Sequence, residues 1–353
     1  MKKIVMFYPY VNDEMRQEVQ KTLKTRWIGQ GPKVDQLEKD WAKIFKVKYP
    51  VAVNSGTASL FLAYHLMGIK KGDEVITSVL TCTATNIPLL QMGAKIVFAD
   101  IKRDTLNLDP EDIKRKITKK TKCVINVHLS GNKSDIDKMP VPIIGDSSQY
   151  HEPPMPYDKY TCYSLQAIKQ ITTADGGMLV VNNKSDYKRA KALRWFGIDR
   201  EAKRRAGWQV YKGREITTDI TEAGWKLQMT DVTASLGIGA LKSYKKIMNH
   251  HYNLKKIYDK GLKNISGLTA VGGAWSYPVL VEKREKFMKL LAKHGIESNI
   301  IQVRNDIVSI FGGKRLNLPN MNWAEDRYVY LPLHMMVSEN DVLRIINVIR
   351  KGW

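Results

Sequence analysis

Short apolar runs that suit β-strands alternate with helical runs over some 200 residues of this chain. Strand runs are rich in β-branched and aromatic residues, whereas apolar residues three and four positions apart indicate helices. Seven strands are predicted, at about residues 49–53, 74–77, 95–99, 122–127, 142–145, 160–164 and 177–181. Helices are predicted between several of them, at about residues 33–47, after Asn54–Thr57, and at 85–92 and 110–117. This alternation predicts an α/β fold built on a mostly parallel seven-stranded sheet.

The pattern changes after about residue 240. A long lysine-rich helix is predicted there, then two strands, a helix and a final helix, at about residues 241–262, 268–271, 276–281, 284–294 and 339–350. Ser338 and Asp341 have the spacing of a capping box for the final helix. We therefore expect a large domain over residues 1–240 and a smaller C-terminal α/β domain over residues 241–353.

One lysine differs from the many others by its neighbours in the sequence. Lys169 follows the predicted strand at residues 160–164 and precedes a Gly-Gly pair, and Asp146 ends an apolar strand upstream. A lysine that forms a Schiff base and an acid that pairs with a pyridinium nitrogen are what pyridoxal phosphate (PLP) needs. We therefore predict a PLP site in which Lys169 is the covalent anchor and also a base. The alternatives are a surface lysine and an aspartate that merely closes a turn.

A second feature near this lysine is a strand-to-helix junction with small residues, Asn54-Ser-Gly-Thr-Ala58. Free N–H groups at a helix N-terminus bind phosphate well. The hydroxyl of Ser164, five residues before Lys169, could reach the same phosphate. The run is not a P-loop, because G-x-x-x-x-G-K-[ST] is absent. The alternative is an ordinary Ser or Thr helix cap.

The chain carries a net charge of +22, but its lysines are scattered in groups far apart in the sequence. No nucleic-acid-binding motif accompanies them, so lysine-covered solvated surfaces are the favoured interpretation. A positive field would also attract phosphorylated substrates. A basic nucleic-acid-binding or regulatory protein remains the alternative from another class, and it would show salt-sensitive binding.

Other classes are disfavoured by what the sequence lacks. No run of 18 apolar residues indicates a membrane helix, and the apolar stretch near the N-terminus is too short for a signal peptide. Cys82, Cys123 and Cys162 are too widely spaced for a disulfide framework or a zinc site. We expect a cytoplasmic protein without a metal centre.

A series of motifs runs nearly from one end of the chain to the other. The motifs are Trp27-Ile-Gly-Gln-Gly-Pro32, Val53-Asn-Ser-Gly-Thr-Ala-Ser-Leu60, Gly72-Asp-Glu-Val-Ile76, Gly145-Asp-Ser-Ser-Gln-Tyr-His151, Ser164-Leu-Gln-Ala-Ile-Lys-Gln-Ile-Thr-Thr173, Arg194-Trp-Phe-Gly-Ile-Asp-Arg200 and Met229-Thr-Asp231. In this order they resemble the DegT/DnrJ/EryC1/StrS family of PLP-dependent sugar aminotransferases. The resemblance implies the fold-type I transferase fold of PLP enzymes.

The resemblance also implies a role for each residue of a cofactor pocket. Lys169 would bond to PLP, Asp146 would pair with the pyridine nitrogen, and Gln149 would lie near the phenolic oxygen. The phosphate would be held by Gly56, Thr57, Ala58 and Ser164.

Three positions depart from the family pattern. Lys226 stands where the family has an asparagine that reaches the phosphate in the partner subunit, and a lysine would do so as a point charge. Gln228 replaces a usual arginine. Cys82 aligns with an aromatic or histidine residue that stacks on the ring, so either the stacking is weaker or Leu80 or Thr81 covers the ring instead.

The later motifs Arg304-Asn-Asp306, Phe311-Gly-Gly313 and Leu331-Pro-Leu-His334 resemble the perosamine synthase-like branch. That branch aminates C4 of nucleotide-linked 4-keto-6-deoxyhexoses for perosamine- or viosamine-like sugars of glycans or lipopolysaccharide. Arg304 and His334 would then contact the sugar or diphosphate, although a buried structural histidine is an equal alternative. Trp27 and Gln30 would lie on a substrate-side loop.

The implied reaction takes the amino group from L-glutamate and passes through pyridoxamine phosphate, in a homodimer whose subunits share active sites. Three rivals are weighed against C4 amination. A 3-keto-sugar aminotransferase is the first, and the nucleic-acid-binding protein is the second. A sugar dehydratase of the same family is the third, but it would carry histidine in place of Lys169.

Overall fold

The computed structural model describes residues 3–205, 207, 211–212, 215–216 and 219–353. Its main sheet has the order β1-β7-β6-β5-β4-β2-β3. The strands are β1 (Tyr49–Val53), β2 (Glu74–Ser78), β3 (Lys95–Ala99), β4 (Thr121–Val127), β5 (Ile143–Asp146), β6 (Asp158–Ser164) and β7 (Gly177–Val181). Strand β7 runs antiparallel to both of its neighbours, β1 and β6, and the remaining pairs of this sheet are parallel. The prediction of a mostly parallel seven-stranded α/β sheet is confirmed.

Helices cover this sheet and connect its strands. They are α1 (Asp13–Leu23), α2 (Pro32–Phe45), α3 (Gly56–Leu66), α4 (Thr83–Gln91), α5 (Pro110–Lys116), α6 (Lys184–Leu193) and α7 (Arg200–Arg205). Helix α2 buries Val34, Leu37, Trp41 and Phe45, which recur at helical spacing, and so forms one face of the core. Helix α3 is apolar nearly all round because it packs between β6, β7 and neighbouring helices. Two short strands, β8 (Tyr211–Lys212) and β9 (Glu215–Ile216), pair with each other.

The lysine-rich helix predicted at about residues 241–262 is seen as α9 (Tyr244–Gly261). A break separates it from the preceding helix, α8 (Asp231–Lys242). The break lies at Ser243, whose φ of −96° and ψ of 7° leave the helical region and whose hydroxyl accepts a hydrogen bond from Asn12. Helix α8 then lies close against α1, since a Cβ on Gly239 would stand 2.5 Å from the Cα of Met15. Glycine allows this approach, which sequence periodicity alone does not reveal.

A second, antiparallel sheet has the order β10-β11-β12, with strands β10 (Leu268–Ala270), β11 (Tyr277–Val281) and β12 (Tyr328–Leu331). Its helices are α10 (Arg284–Lys293), α11 (Pro319–Ala324) and α12 (Glu339–Ile349). The capping box of Ser338 and Asp341 is present as predicted. Ile4 packs into the core of this second sheet and pairs with Ile296, although residues 1–240 were expected in the large domain. The boundary at residue 240 stays a prediction.

The main sheet brings the predicted site residues to one edge. In register, Val127 of β4 lies beside Asp146 of β5, and Asp146 lies beside Cys162 of β6. Because these strands are parallel, their carboxyl ends open onto the same crevice, where open α/β sheets bind ligands. Within the described residues, no helix is both long and apolar enough to cross a membrane, and no group of three His, Cys, Asp or Glu residues could hold a metal ion.

Candidate active site

Lys169 lies on the loop that joins β6 to the antiparallel strand β7. The loop is closed on itself, because Leu165 N–H donates to the Gly176 carbonyl at 2.8 Å and Thr173 N–H donates to the Leu165 carbonyl at 2.8 Å. Lys169 N–H donates to the Gln166 carbonyl at 2.9 Å, which forms a tight turn at the lysine. The predicted placement of Lys169 on a turn after a strand is therefore seen in the structure.

The ammonium end of Lys169 is desolvated. Burial lowers its pKa from 10.5 to about 8, and the nearby groups of Cys82 and Asp146 partly offset this fall. Nζ also lies 3.9 Å from the ring centroid of Trp275, a cation–π distance. Sequence reasoning missed Trp275, because the contact joins residues more than 100 positions apart and no local motif announces it.

Asp146 ends β5 and is 4% exposed. Its Oδ2 accepts a hydrogen bond from Thr85 Oγ1 at 2.8 Å, and its Oδ1 accepts one from Ser148 N–H at 3.1 Å. Among the described residues, no cationic side chain forms an ion pair with it. Since a buried carboxylate is costly without a charged partner, this site suits a ligand with a cationic N–H group. Thr85, on α4, was not predicted from the sequence.

The predicted phosphate cradle is also assembled. Ser55 caps α3, and its hydroxyl accepts from Ala58 N–H at 3.0 Å. Gly56 and Thr57 open the helix, so their N–H groups have no acceptor within it. A Cβ on Gly56 would lie only 2.7 Å from the Cβ of Ser164, so glycine is what allows the buried Ser164 to lie against the helix start. Together these groups offer N–H and O–H donors to an anion.

Gln149 is buried just beyond Asp146, and its amide orientation is fixed. Its Oε1 accepts from Ser130 N–H at 2.6 Å, and its backbone carbonyl accepts from Gln170 Nε2 at 3.3 Å. With Oε1 occupied, its NH₂ group is the part that can donate to a ligand oxygen.

The residues that depart from the family pattern lie in different surroundings. Cys82 is exposed at the N-cap of α4, whereas Leu80 and Thr81 are buried. Of these three, Cys82 is therefore the residue that can face a ligand. Lys226 is exposed, and its carbonyl accepts from Asn54 Nδ2 at 3.4 Å, next to the cradle. Its side chain lies 5.8 Å from the ring of Phe196. Contact with a partner subunit stays a prediction.

The structure does not support a substrate role for Arg304. Its guanidinium is 1% exposed, and its hydrogen bonds occupy all five N–H donors. The acceptors are both carboxylate oxygens of Asp306, the side chains of Asn322 and Glu325, and the carbonyl of Leu316. No donor remains for a sugar or diphosphate, so Arg304 ties its own loop to α11 and to the loop before it.

His334 is likewise held by the backbone. Its Nε2 donates to the Val5 carbonyl at 3.1 Å, and its Nδ1 accepts from Met336 N–H at 3.2 Å. The structural alternative weighed for this histidine is thus the one that fits its contacts.

Trp27 and Gln30 line a separate cavity of about 860 Å³ beside the edge strand β1. Neither Lys169 nor Asp146 lines it. The Gln30 carbonyl there accepts from Arg200 at 2.6 Å. The structure therefore brings together the predicted cofactor residues, but it does not place these two substrate candidates beside them.

Solved structures of similar fold give the class of protein. The sugar aminotransferase CalS13 from Micromonospora echinospora superposes with a TM-score of 0.90 and is 27% identical, covering 99% of this chain and 100% of that one. A second solved structure, Spr1654 from Streptococcus pneumoniae in its PLP form, has a TM-score of 0.88 and 26% identity, covering 99% of this chain and 98% of that one. The fold is thus that of the aminotransferase class.

Sequence comparison gives the particular family. Residues 9–350 match the DegT/DnrJ/EryC1/StrS aminotransferase family, and the chain belongs to it. The spore coat polysaccharide biosynthesis protein SpsC of Bacillus subtilis is 30% identical over 97% of this chain and 95% of its own length. This membership confirms the resemblance and favours an enzyme over the nucleic-acid-binding alternative.

Proposed function

We propose that this protein is a PLP-dependent aminotransferase that transfers the amino group of L-glutamate to C4 of a nucleotide-linked 4-keto-6-deoxyhexose. The observation that carries the proposal is a desolvated lysine, Lys169, on a closed loop within the electrostatic reach of the buried Asp146. The naming of CalS13 as a sugar aminotransferase and of SpsC as a polysaccharide biosynthesis protein supports a sugar substrate. The C4 position rests on the motifs that resemble the perosamine synthase-like branch.

The residues at the crevice fit PLP by their chemistry. The start of α3 (Gly56–Ala58) and Ser164 would hold its phosphate, Asp146 would hold the protonated ring nitrogen, and the NH₂ group of Gln149 would donate to its phenolic oxygen. Cys82 would lie beside the ring. When bound, PLP supplies the electron sink that lets an amino group be taken from one substrate and given to another.

The depressed pKa of Lys169 suits it to proton transfer. At pH 7, a lysine with a pKa of about 8 is neutral in roughly one molecule in ten, about 300 times more often than one at 10.5. A neutral amine can accept a proton at Nζ, and the ammonium can return it, so Lys169 can move protons in both half-reactions. Asp146 is held in a fixed orientation because Thr85 and Ser148 donate to its two oxygens.

Other parts of the proposal concern assembly and substrate capture. We propose a cytoplasmic homodimer in which Lys226, exposed near Asn54, reaches the phosphate bound in the partner subunit. The net charge of +22 would raise the local concentration of a sugar diphosphate.

The role of Lys169 is tested by borohydride reduction of the PLP-loaded protein, followed by peptide mapping. We expect a visible absorption band, and a reduced cofactor attached to the peptide that contains Lys169. Lys169→Ala should lose both the attachment and turnover. Lys159→Ala, which removes an exposed lysine from the same strand-loop unit, is the matched control and should keep both. Full transaminase activity in Lys169→Ala would refute the proposal.

The substrate is tested separately, with glutamate as donor and a panel of nucleotide-linked keto sugars as acceptors. Turnover of 4-keto-6-deoxyhexoses, with the new amino group at C4, is expected. Turnover of 3-keto sugars alone would establish the rival aminotransferase and overturn the C4 assignment, while leaving the cofactor site intact.

A further inference from the structure

The loop that carries Lys169 is contacted by a segment that belongs to the second sheet. Residues 273–276 lead into β11 and lie against this loop at several points. Trp275 Nε1 donates to the carbonyl of Ile168, directly before the lysine, at 3.0 Å. Gln170 Nε2, directly after it, lies 3.4 Å from the carbonyl of Ala274. The peptide group before Lys169 and the side chain of the residue after it are therefore tied to this segment.

The indole ring completes the contact. Trp275 is 3% exposed, and the Lys169 Nζ lies 3.9 Å from its ring centroid. Phe7 stacks on the same ring with the centroids 5.4 Å apart, and Trp275 N–H donates to the Ser130 carbonyl at 2.9 Å. Because the backbone bond to Ser130 and the stacking on Phe7 both fix the ring, its position does not depend on the Lys169 side chain.

We propose that Trp275 is a positioning residue for Lys169: its indole face holds the ammonium, and its N–H fixes the peptide that precedes the lysine. The amine then has a defined resting place whenever it is not bonded to the cofactor. This inference rests on the proposed function of Lys169 as cofactor anchor. It assigns a role at this site to Trp275, which lies just before β11 and which no sequence motif near Lys169 identifies.

The charged and titratable groups around Lys169 show why the aromatic contact should affect its charged form. Burial disfavours the ammonium, while Asp146 and Cys82 favour it. His151 also faces it, but burial lowers the pKa of this histidine to about 3, so it is neutral at working pH. An indole face stabilises a desolvated cation without introducing a second charge, and tryptophan does this best among the aromatic residues.

The proposal is tested by measuring how the reactivity of Lys169 depends on pH in the full-length, cofactor-free chain. Trace labelling with an amine-selective acylating reagent, followed by quantitative peptide mapping, gives the pKa of this one lysine. In Trp275→Leu, loss of the cation–π contact should lower this pKa by about 0.5 to 1.5 pH units. Trp275→Phe keeps an aromatic face and should show a smaller decrease. Trp323→Leu removes a half-buried tryptophan that also has cationic neighbours, and it should leave the pKa of Lys169 unchanged.

A pKa that stays the same or rises in Trp275→Leu would overturn the role of Trp275. Circular dichroism confirms that each variant is folded, and if the leucine variant is not, Trp275→Met offers a longer apolar side chain without a π face. The two proposals fail separately. A Lys169 peptide that borohydride does not label overturns the proposed function, whereas an unshifted titration in a protein that is labelled overturns only the positioning role.

Discussion

Replacing Lys169 by methionine should stabilise the cofactor-free protein. Methionine keeps most of the length and bulk of lysine but removes a charge that the structure desolvates. The pKa of Lys169 is about 8 in the folded protein against 10.5 for an ordinary lysine. That separation corresponds to about 3 kcal/mol, and the contact with Trp275 reduces this by about 1 kcal/mol. We expect Lys169→Met to raise the free energy of unfolding by about 2 kcal/mol at pH 7.

The pH dependence of this gain is the sharper part of the prediction. Between pH 8 and 10.5 the unfolded chain keeps the Lys169 proton while the folded chain has lost it, so wild-type stability rises with pH relative to the variant. The gain should therefore be constant below about pH 7 and vanish near pH 10.5. Urea unfolding of both proteins over this range measures it. Using the difference between them cancels the other lysines and tyrosines.

A matched comparison separates charge burial from ordinary packing. Lys159→Met, at an exposed lysine of β6, should change stability little and without this pH dependence. If Lys169→Met were neutral or destabilising at pH 7, or if its gain did not change up to pH 10.5, the lysine would not be desolvated as described. The argument that its pKa suits proton transfer would then fail with it.

Three further changes test other parts of the molecule. Gly56→Ala should lower the free energy of unfolding by about 1–3 kcal/mol, because its new Cβ would lie 2.7 Å from the Cβ of Ser164. The same change should weaken phosphate binding to the cofactor-free protein. An unchanged phosphate affinity, measured by calorimetry, would argue against the phosphate cradle. Arg304→Lys should lower the free energy of unfolding by about 2–4 kcal/mol, since a lysine cannot donate to all five acceptor atoms. The folded variant should keep its KM for the sugar. A raised KM with normal stability would restore a substrate role for Arg304. Asp231→Asn should destabilise the protein by about 2 kcal/mol, because its carboxylate accepts three N–H groups at the start of α2; an unchanged unfolding midpoint would contradict this.

The strands of the main sheet were predictable because buried parallel strands leave a local trace. Each is a short apolar run bounded by turn residues, and all seven were placed within about two residues of their observed ends. The turn at Lys169 and the helix start at Gly56 follow from the same local signals. Asp146 could be placed because the carboxyl end of a parallel strand opens onto the binding crevice.

What the sequence could not show depends on contacts between distant residues. Arg304 has the residue type expected for binding a diphosphate, but Asp306, two residues further on, takes two of its donors. Asn322 and Glu325, which only the folded chain brings near, take two more. The break at Ser243 has the same origin. Its hydroxyl accepts from Asn12, more than 200 residues away, at a point where propensity alone continues the helix.

The position of Trp275 bears on the departure at Cys82. A family pattern leads one to expect an aromatic or histidine residue at position 82, and the structure has an exposed thiol there. The aromatic ring beside the Lys169 amine is instead that of Trp275, in the segment that leads into β11. This ring stacks on Phe7, and its N–H donates to the carbonyl of Ile168. Positions 82 and 275 both lie near the Lys169 amine. A small side chain at 82 therefore leaves room for a bulky one at 275, because close-packed structures have little free volume. An aromatic residue introduced by Cys82→Phe should therefore disturb the Lys169 titration less in Trp275→Leu than in the wild-type protein. Equal effects of Cys82→Phe in the two backgrounds would show that positions 82 and 275 act independently.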